Sequence, residues 1–191
     1  MLNAAMSGGA GMIELRDREQ PRRVIERSGH TFRRLANTYS ALFIVNDDPY
    51  LALELRADGV HLGQDDMEPA EARRIMGPDA IIGLSTHNRG QVEAAAKSPV
   101  DYISVGPIWE TPTKEGRPAT GLELIREAAE VAAQPWFAIG GIDSGNVDQV
   151  IAAGATRVCV VRAIRDAEDP RAAATTLFDA VDPAAREETR G

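Results

Sequence analysis

Seven short runs of aliphatic and β-branched residues recur along the 191-residue chain, each followed by a polar or glycine-rich turn. They lie at 12–16, Leu42–Asn46, Gly59–Leu62, 81–84, Tyr102–Val105, Trp136–Ile139 and 157–161. Alanine-rich stretches with helical spacing separate several of them, such as 91–97, 122–132 and 146–153. Runs that are apolar almost throughout are buried on both faces, which is the habit of a parallel sheet. Strands that alternate with helices without a break build βα units.

Two turns support a repeated unit. Ala57-Asp58-Gly59-Val60 and Ala153-Gly154-Ala155-Thr156 both read as helix stops leading into a strand, with glycine as the left-handed cap. A (β/α)8 barrel needs eight strands and runs to about 250 residues, with compact forms near 200. Residues 3–11 read as the end of a helix and its turn, so one strand and most of a helix, about 20 residues by average element lengths, would complete the series. The expectation is a TIM (β/α)8-type barrel, incomplete, with seven parallel strands and a gap between those containing Ile13 and Val160. An open seven-stranded α/β sheet is the alternative. One domain is expected over 1–191, with a charged, frayed tail at 182–191.

Net charge is −8 and no basic block offsets it, which argues against nucleic acid or an anionic membrane as a partner. No apolar run approaches the roughly 20 residues that span a bilayer. The first residues do not read as a signal peptide, so a cytoplasmic location is expected. Cys159 is the one cysteine, which excludes an intrachain disulfide and reads as a small buried strand residue. Positive charge is carried almost wholly by arginine; the only lysines are Lys97 and Lys114. Lys114 closes the loop Gly106-Pro107-Ile108-Trp109-Glu110-Thr111-Pro112-Thr113-Lys114, beside two threonine hydroxyls. A compact charge with rotatable donors suits phosphate oxygens there, although a solvated loop lysine would look the same.

Barrels carry their chemistry at the C-terminal ends of the strands. Those positions hold Arg16-Asp17-Arg18, Asn46-Asp47-Asp48, Gly63-Gln64-Asp65-Asp66, Ser85-Thr86-His87, the loop ending at Lys114, Gly140-Gly141 and Val161-Arg162. Carboxylates on adjacent strands suit Mg²⁺, which keeps water and substrate phosphate in its shell. Arginine, lysine, serine and backbone N–H groups suit phosphate. Taken singly, Asp47 or Asp66 reads as a cap, Gly140-Gly141 as a turn, His87 as a cap and Arg16 as a salt-bridge partner. Their arrival at consecutive strand ends points to one anion-binding rim.

With these motifs the series resembles thiamine-phosphate synthase from Met12 to about Val181. The Thr111-Pro112-Thr113-Lys114 loop and the Gly63-Gln64-Asp65-Asp66 turn are the most specific matches. The resemblance implies a transferase that joins 4-amino-5-hydroxymethyl-2-methylpyrimidine diphosphate to thiazole phosphate, releasing pyrophosphate. It further implies Mg²⁺ held by Asp47 and Asp66. Glu14, Leu15, Arg16, Asp17, Arg18, Asn46, Ser85 and Lys114 would hold the pyrimidine diphosphate, with Lys114, Arg16 and Ser85 as the catalytic set. Thr111, Pro112, Thr113, Gly141, Val161 and Arg162 would hold the thiazole phosphate. Two small-molecule substrates are the implied partners, and a homo-oligomer is left open.

Three positions depart from the family pattern. Glu14 stands where glutamine is usual, Arg18 where lysine is usual, and Arg162 where serine is common. A thiazole tautomerase of similar fold is the nearest alternative, with His87 as its general acid/base. A non-catalytic protein that binds a phosphorylated ligand is the other.

Overall fold

The computed structural model describes residues 1–17, 19–111 and 118–182. Its seven strands are β1 (Met12–Leu15), β2 (Leu42–Asn46), β3 (Gly59–Leu62), β4 (Ile81–Thr86), β5 (Tyr102–Val105), β6 (Trp136–Ile139) and β7 (Val158–Cys159). All pair in parallel, and their order in the sheet is their order in the chain. Such an order demands a helix or loop crossover between each neighbouring pair, always on one side of the sheet.

The crossovers are α2 (Arg22–Tyr39), α3 (Pro49–Glu54), α4 (Pro69–Met76), α5 (Arg89–Ala95), α6 (Gly121–Val131) and α7 (Val147–Ala152). A short α1 (Leu2–Ser7) precedes β1, while α8 (Arg162–Arg165) and α9 (Pro170–Val181) follow β7. Several helices start where a short polar side chain takes up a first-turn N–H. Asp48 accepts from Leu51, Asn88 from Gln91, and Asp169 from Arg171 and Ala172. Proline in the first turn of α3, α4 and α9 removes an N–H that would otherwise lack a partner.

Strand alternation sorts the side chains into two layers. Ile13, Leu15, Phe43, Val45, Val60, Leu62, Ile82, Leu84, Ile103 and Val105 all face the helices and form one buried cluster. A second cluster, around Ile108, Ile125, Ala138 and Val150, seats α6 and α7. Helix α1 packs against both α2 and α9, so the helical layer closes behind the two ends of the sheet. Tyr39 Oη donates to Asn3 Oδ1 across that junction at 3.0 Å. The sheet itself stays open between β1 and β7 among the described residues, as a barrel lacking one stave does.

Three expectations need correction. The last run forms only the two-residue β7, since Arg157, Val160 and Val161 lie outside it. The fourth runs on to Thr86, which takes Ser85 out of the loop and into a strand. At the turn before β3 the left-handed residue is Arg56 (φ 52°), not Gly59. Gly59 has a different duty, because a Cβ there would meet Ile81 O at 2.0 Å across the β3–β4 pair. Gly154, at φ 116°, does take the left-handed role after α7.

Candidate active site at the C-terminal rim

Opposite the helix-facing layer, the inward side chains make a polar lumen. His61 on β3 is buried between three partners: its Nδ1 lies 3.0 Å from Tyr102 Oη, and its Nε2 lies 2.9 Å from Ser85 Oγ and 3.4 Å from Ser104 Oγ. Gly83 makes room for this network, since a Cβ there would stand 2.2 Å from the Tyr102 ring. Tyr102 also packs edge-on against Phe137 of β6. Burial pushes the Tyr102 phenol well above its ordinary pKa, and the nearby Glu14 and Cys159 push the same way. The phenol therefore stays neutral. Barrel interiors are usually packed with branched apolar residues; here the inward face is a buried polar network instead.

Above the lumen, a cavity of about 290 Å³ opens toward the β6 and β7 ends. His87, Ser104, Thr111, Gly140, Gly141, Cys159, Val161 and Arg162 are among its walls. Gly140 (φ 101°) and Gly141 (φ 68°) turn the chain tightly here. Side chains would not fit: a Cβ on Gly140 would stand 2.5 Å from Pro107, and one on Gly141 2.7 Å from Trp109. Asn146 pins the turn by donating from Nδ2 to Gly141 O at 2.8 Å. The Arg162 guanidinium has no hydrogen bond or ion pair among the described residues, although Asp166 lies close enough to feel its charge. Arg165 takes both Asp166 carboxylate oxygens, at 2.6 and 3.0 Å. That pairing draws the Asp166 carboxyl below its ordinary pKa.

His87 has a defined tautomer. Its Nδ1 lies 2.5 Å from the Gly106 carbonyl, which can only accept, so Nδ1 carries the proton. In the neutral ring Nε2 is then the acceptor nitrogen. The His87 backbone N–H donates to Gln91 Oε1 at 2.7 Å, fixing the residue at the entrance of α5.

The candidate metal ligands occupy adjacent strand ends. Asp47 follows β2 with a left-handed backbone (φ 65°), and its N–H donates to His61 O at 2.8 Å. Asp66 Oδ2 accepts from Gly63 N at 2.7 Å, which orients that carboxylate beside the end of β3. No cluster of three or more His, Cys, Asp or Glu side chains suited to a metal occurs among the described residues. Two carboxylates on neighbouring loops fit a hard cation that fills its shell with water and phosphate oxygen rather than with protein.

The remaining sequence candidates distribute as follows. Arg16 is exposed just past β1 and, like Arg162, has no ion pair among the described residues. Asn46 ends β2 in register with His61. Ser85 is buried in the lumen rather than on the rim. Leu15 lies in the helix-facing core, so only its backbone can reach a ligand. Asp17 folds its own loop, accepting from Glu19 and Gln20 N–H groups at 3.2 Å. Arg18, Pro112, Thr113 and Lys114 lie outside the described residues. Sequence reasoning missed His61, Tyr102 and Ser104, whose signal was polar residues at alternate positions of otherwise apolar strands. It also misjudged Cys159, which is half-buried and lines the cavity instead of filling the core.

Residues 1–164 match the family model described as thiamine monophosphate synthase. A thiamine-phosphate synthase of Thermus thermophilus is 51% identical over 174 residues, covering 91% of this chain and 84% of that protein. The chain belongs to the thiamine monophosphate synthase family. A Mycobacterium marinum member is 50% identical over 185 residues, covering 92% of this chain and 84% of its own length. The solved thiamine phosphate pyrophosphorylase of Pyrococcus furiosus superposes with a TM-score of 0.87 at 35% identity, over 100% of this chain and 89% of that one.

Proposed function

We propose that this chain catalyses the thiamine-phosphate synthase reaction, with the diphosphate at the β1–β4 rim and the thiazole phosphate in the β6–β7 cavity. The observation that carries this reading is family membership over most of the chain, joined to a cavity walled by Gly140, Gly141 and Arg162. Backbone turned tightly by glycine, beside an arginine without an ion pair, suits a phosphomonoester.

The chemistry asks mainly for charge stabilisation. The pyrimidine C–O bond breaks, its electron pair leaves with pyrophosphate, and the methylene carbon becomes a cation delocalised over an electron-rich ring. The thiazole nitrogen then forms the C–N bond with its own lone pair, so no general base is needed. Mg²⁺, when bound, would neutralise charge on the departing pyrophosphate. Asp47 and Asp66 would hold it. Arg16 and Lys114 would pair with the same leaving group where its charge develops. Asn46 at the end of β2 and Ser85 within the lumen would orient the pyrimidine half, with the His61 network as its inner wall. Thr111, Gly141, Val161 and Arg162, with Pro112 and Thr113 of the same loop, would orient the thiazole half. Fixing both substrates in line supplies much of the remaining rate.

The test is direct. Purified protein with both substrates and Mg²⁺ should release thiamine phosphate and pyrophosphate in equal amounts, and chelation should stop it reversibly. Isomerisation of the thiazole without pyrophosphate release would instead identify a tautomerase. Binding of both substrates without product would leave a ligand-binding protein.

A further inference from the structure

The walls of the β6–β7 cavity carry more negative than positive charge. Among the described residues they hold one guanidinium, Arg162, and two carboxylates, Asp143 and Asp166. A phosphomonoester entering this space needs both carboxylates engaged elsewhere. Asp143 is committed to its own turn, where its Oδ1 accepts from Gly145 N at 2.8 Å. Asp166 has two arginines within reach. Its N–H donates to Arg162 O at 3.0 Å, closing one helical turn. That places the two residues at the i, i+4 spacing at which an arginine and a carboxylate pair on a helix surface. The carboxylate nevertheless takes Arg165, whose Nε and Nη2 donate to its two oxygens at 2.6 and 3.0 Å. Arg165 is not part of the cavity wall.

Building on the synthase reading, which seats the thiazole phosphate in this cavity, we infer that Arg165 is a positioning residue that holds Asp166 off Arg162 and so sets the affinity for the phosphomonoester. Arg165 acts without touching the ligand. With the pair in place, Asp166 is neutralised from outside the cavity and the Arg162 guanidinium is left to the ligand. With the pair broken, Asp166 competes from one turn away, because it both attracts the guanidinium and repels a phosphate dianion. Side chains at the Arg165–Asp166 pair are about half exposed, which keeps the expected effect modest.

Arg165→Ala should raise KM for thiazole phosphate about two- to fivefold at low ionic strength, the range of an exposed ion pair, with kcat and KM for the pyrimidine diphosphate unchanged. Asp166→Asn removes the competitor and should leave KM for thiazole phosphate level or lower it. The double variant should behave as Asp166→Asn, a non-additivity that competition requires. Calorimetric titration with thiazole phosphate alone should give the same order in Kd. A pair that merely staples α8 loses the same contact in either single variant, so equal rises in Arg165→Ala and Asp166→Asn would overturn the assignment. An unchanged Kd in Arg165→Ala, or a rise that persists in the double variant, would do the same. Wild-type protein that makes no thiamine phosphate would defeat the synthase reading alone, since Kd is measured without turnover. Wild-type protein that binds no thiazole phosphate would overturn the assignment as well.

Discussion

The two ends of the sheet differ in how completely their charged side chains are paired. At the N-terminal end, Asp58 precedes β3 and accepts from Phe43 N of β2 at 2.7 Å and from Arg33 of α2 at 2.9 Å. Asp101 precedes β5 and repeats the device: it accepts from Ile82 N of β4 at 2.7 Å and from Arg73 of α4 at 2.6 Å. Arg73 also donates to the Ala80, Pro78 and Gly77 carbonyls, closing the turn before β4. Every one of these charges is committed to backbone or to another charge. At the C-terminal end, Arg16 and Arg162 have no ion pair among the described residues, and the chain is turned by glycines where a side chain would not fit. Paired charges hold an architecture together, whereas the Arg162 guanidinium lines the cavity with no ion pair among the described residues.

The comparison breaks most visibly at Lys114. If it stabilises departing pyrophosphate, Lys114→Ala should lower kcat by about 10²–10³, equal to about 3–4 kcal/mol, with little change in KM for thiazole phosphate. Lys114→Arg should recover only part, since the planar fork differs in shape and reach. Steady-state kinetics with each substrate varied in turn provides the check, and a Lys114→Ala enzyme of full activity would remove the rim from the leaving-group step.

At the opposite end the expected loss is of stability alone. Asp101→Asn removes the charge from two hydrogen bonds, one to a strand N–H and one to Arg73, at a cost of about 2 kcal/mol. For a chain of this length that lowers Tm by about 4–8 °C. Turnover per folded molecule should not change. Thermal melting beside an activity assay reads both, and a kcat effect without a Tm effect would erase the distinction between the two ends.

A smaller effect is expected at Arg162. Arg162→Ala should raise KM for thiazole phosphate about tenfold, or about 1.4 kcal/mol, while leaving KM for the pyrimidine diphosphate alone. Equal effects on both substrates would place the two phosphates in one shared subsite.

The parallel strands and their order were legible because β-branched runs flanked by turn residues report a buried parallel sheet regardless of tertiary detail. The rim residues were legible because strand ends fix their position along the chain. The lumen was not. His61, Tyr102 and Ser104 lie inside strands whose inward face becomes visible only when register places Tyr102 over Gly83 and Ser85 beside His61. Ser85 itself was assigned to a loop because the polar pair Ser85-Thr86 resembles a strand ending. Both residues find buried partners, with Thr86 Oγ1 donating to Ser104 O at 2.9 Å, and pairing of that kind lets a polar pair continue a strand. Arg56 took the left-handed turn expected of Gly59 because close approach to Ile81 had already claimed the glycine.

His87 should matter least, and it tests the chemistry most cleanly. The residue lines the cavity with Nδ1 protonated toward Gly106 O, so in the neutral ring Nε2 is the nitrogen with the competence to accept a proton. A synthase has no use for that competence, because the thiazole nitrogen arrives with its lone pair available and no proton leaves carbon. His87→Ala should therefore change kcat less than about threefold, or about 0.6 kcal/mol, with any loss traceable to the anchoring of the Gly106 carbonyl. His87→Gln should do less still, since the amide can donate to the same carbonyl. A tautomerase would respond in the opposite sense, losing about 10²–10⁴ in turnover with its general acid/base. Measuring His87→Ala and Lys114→Ala side by side decides which group the reaction depends on. An inactive His87 variant beside an active Lys114 variant would move the chemistry from the leaving group to a proton.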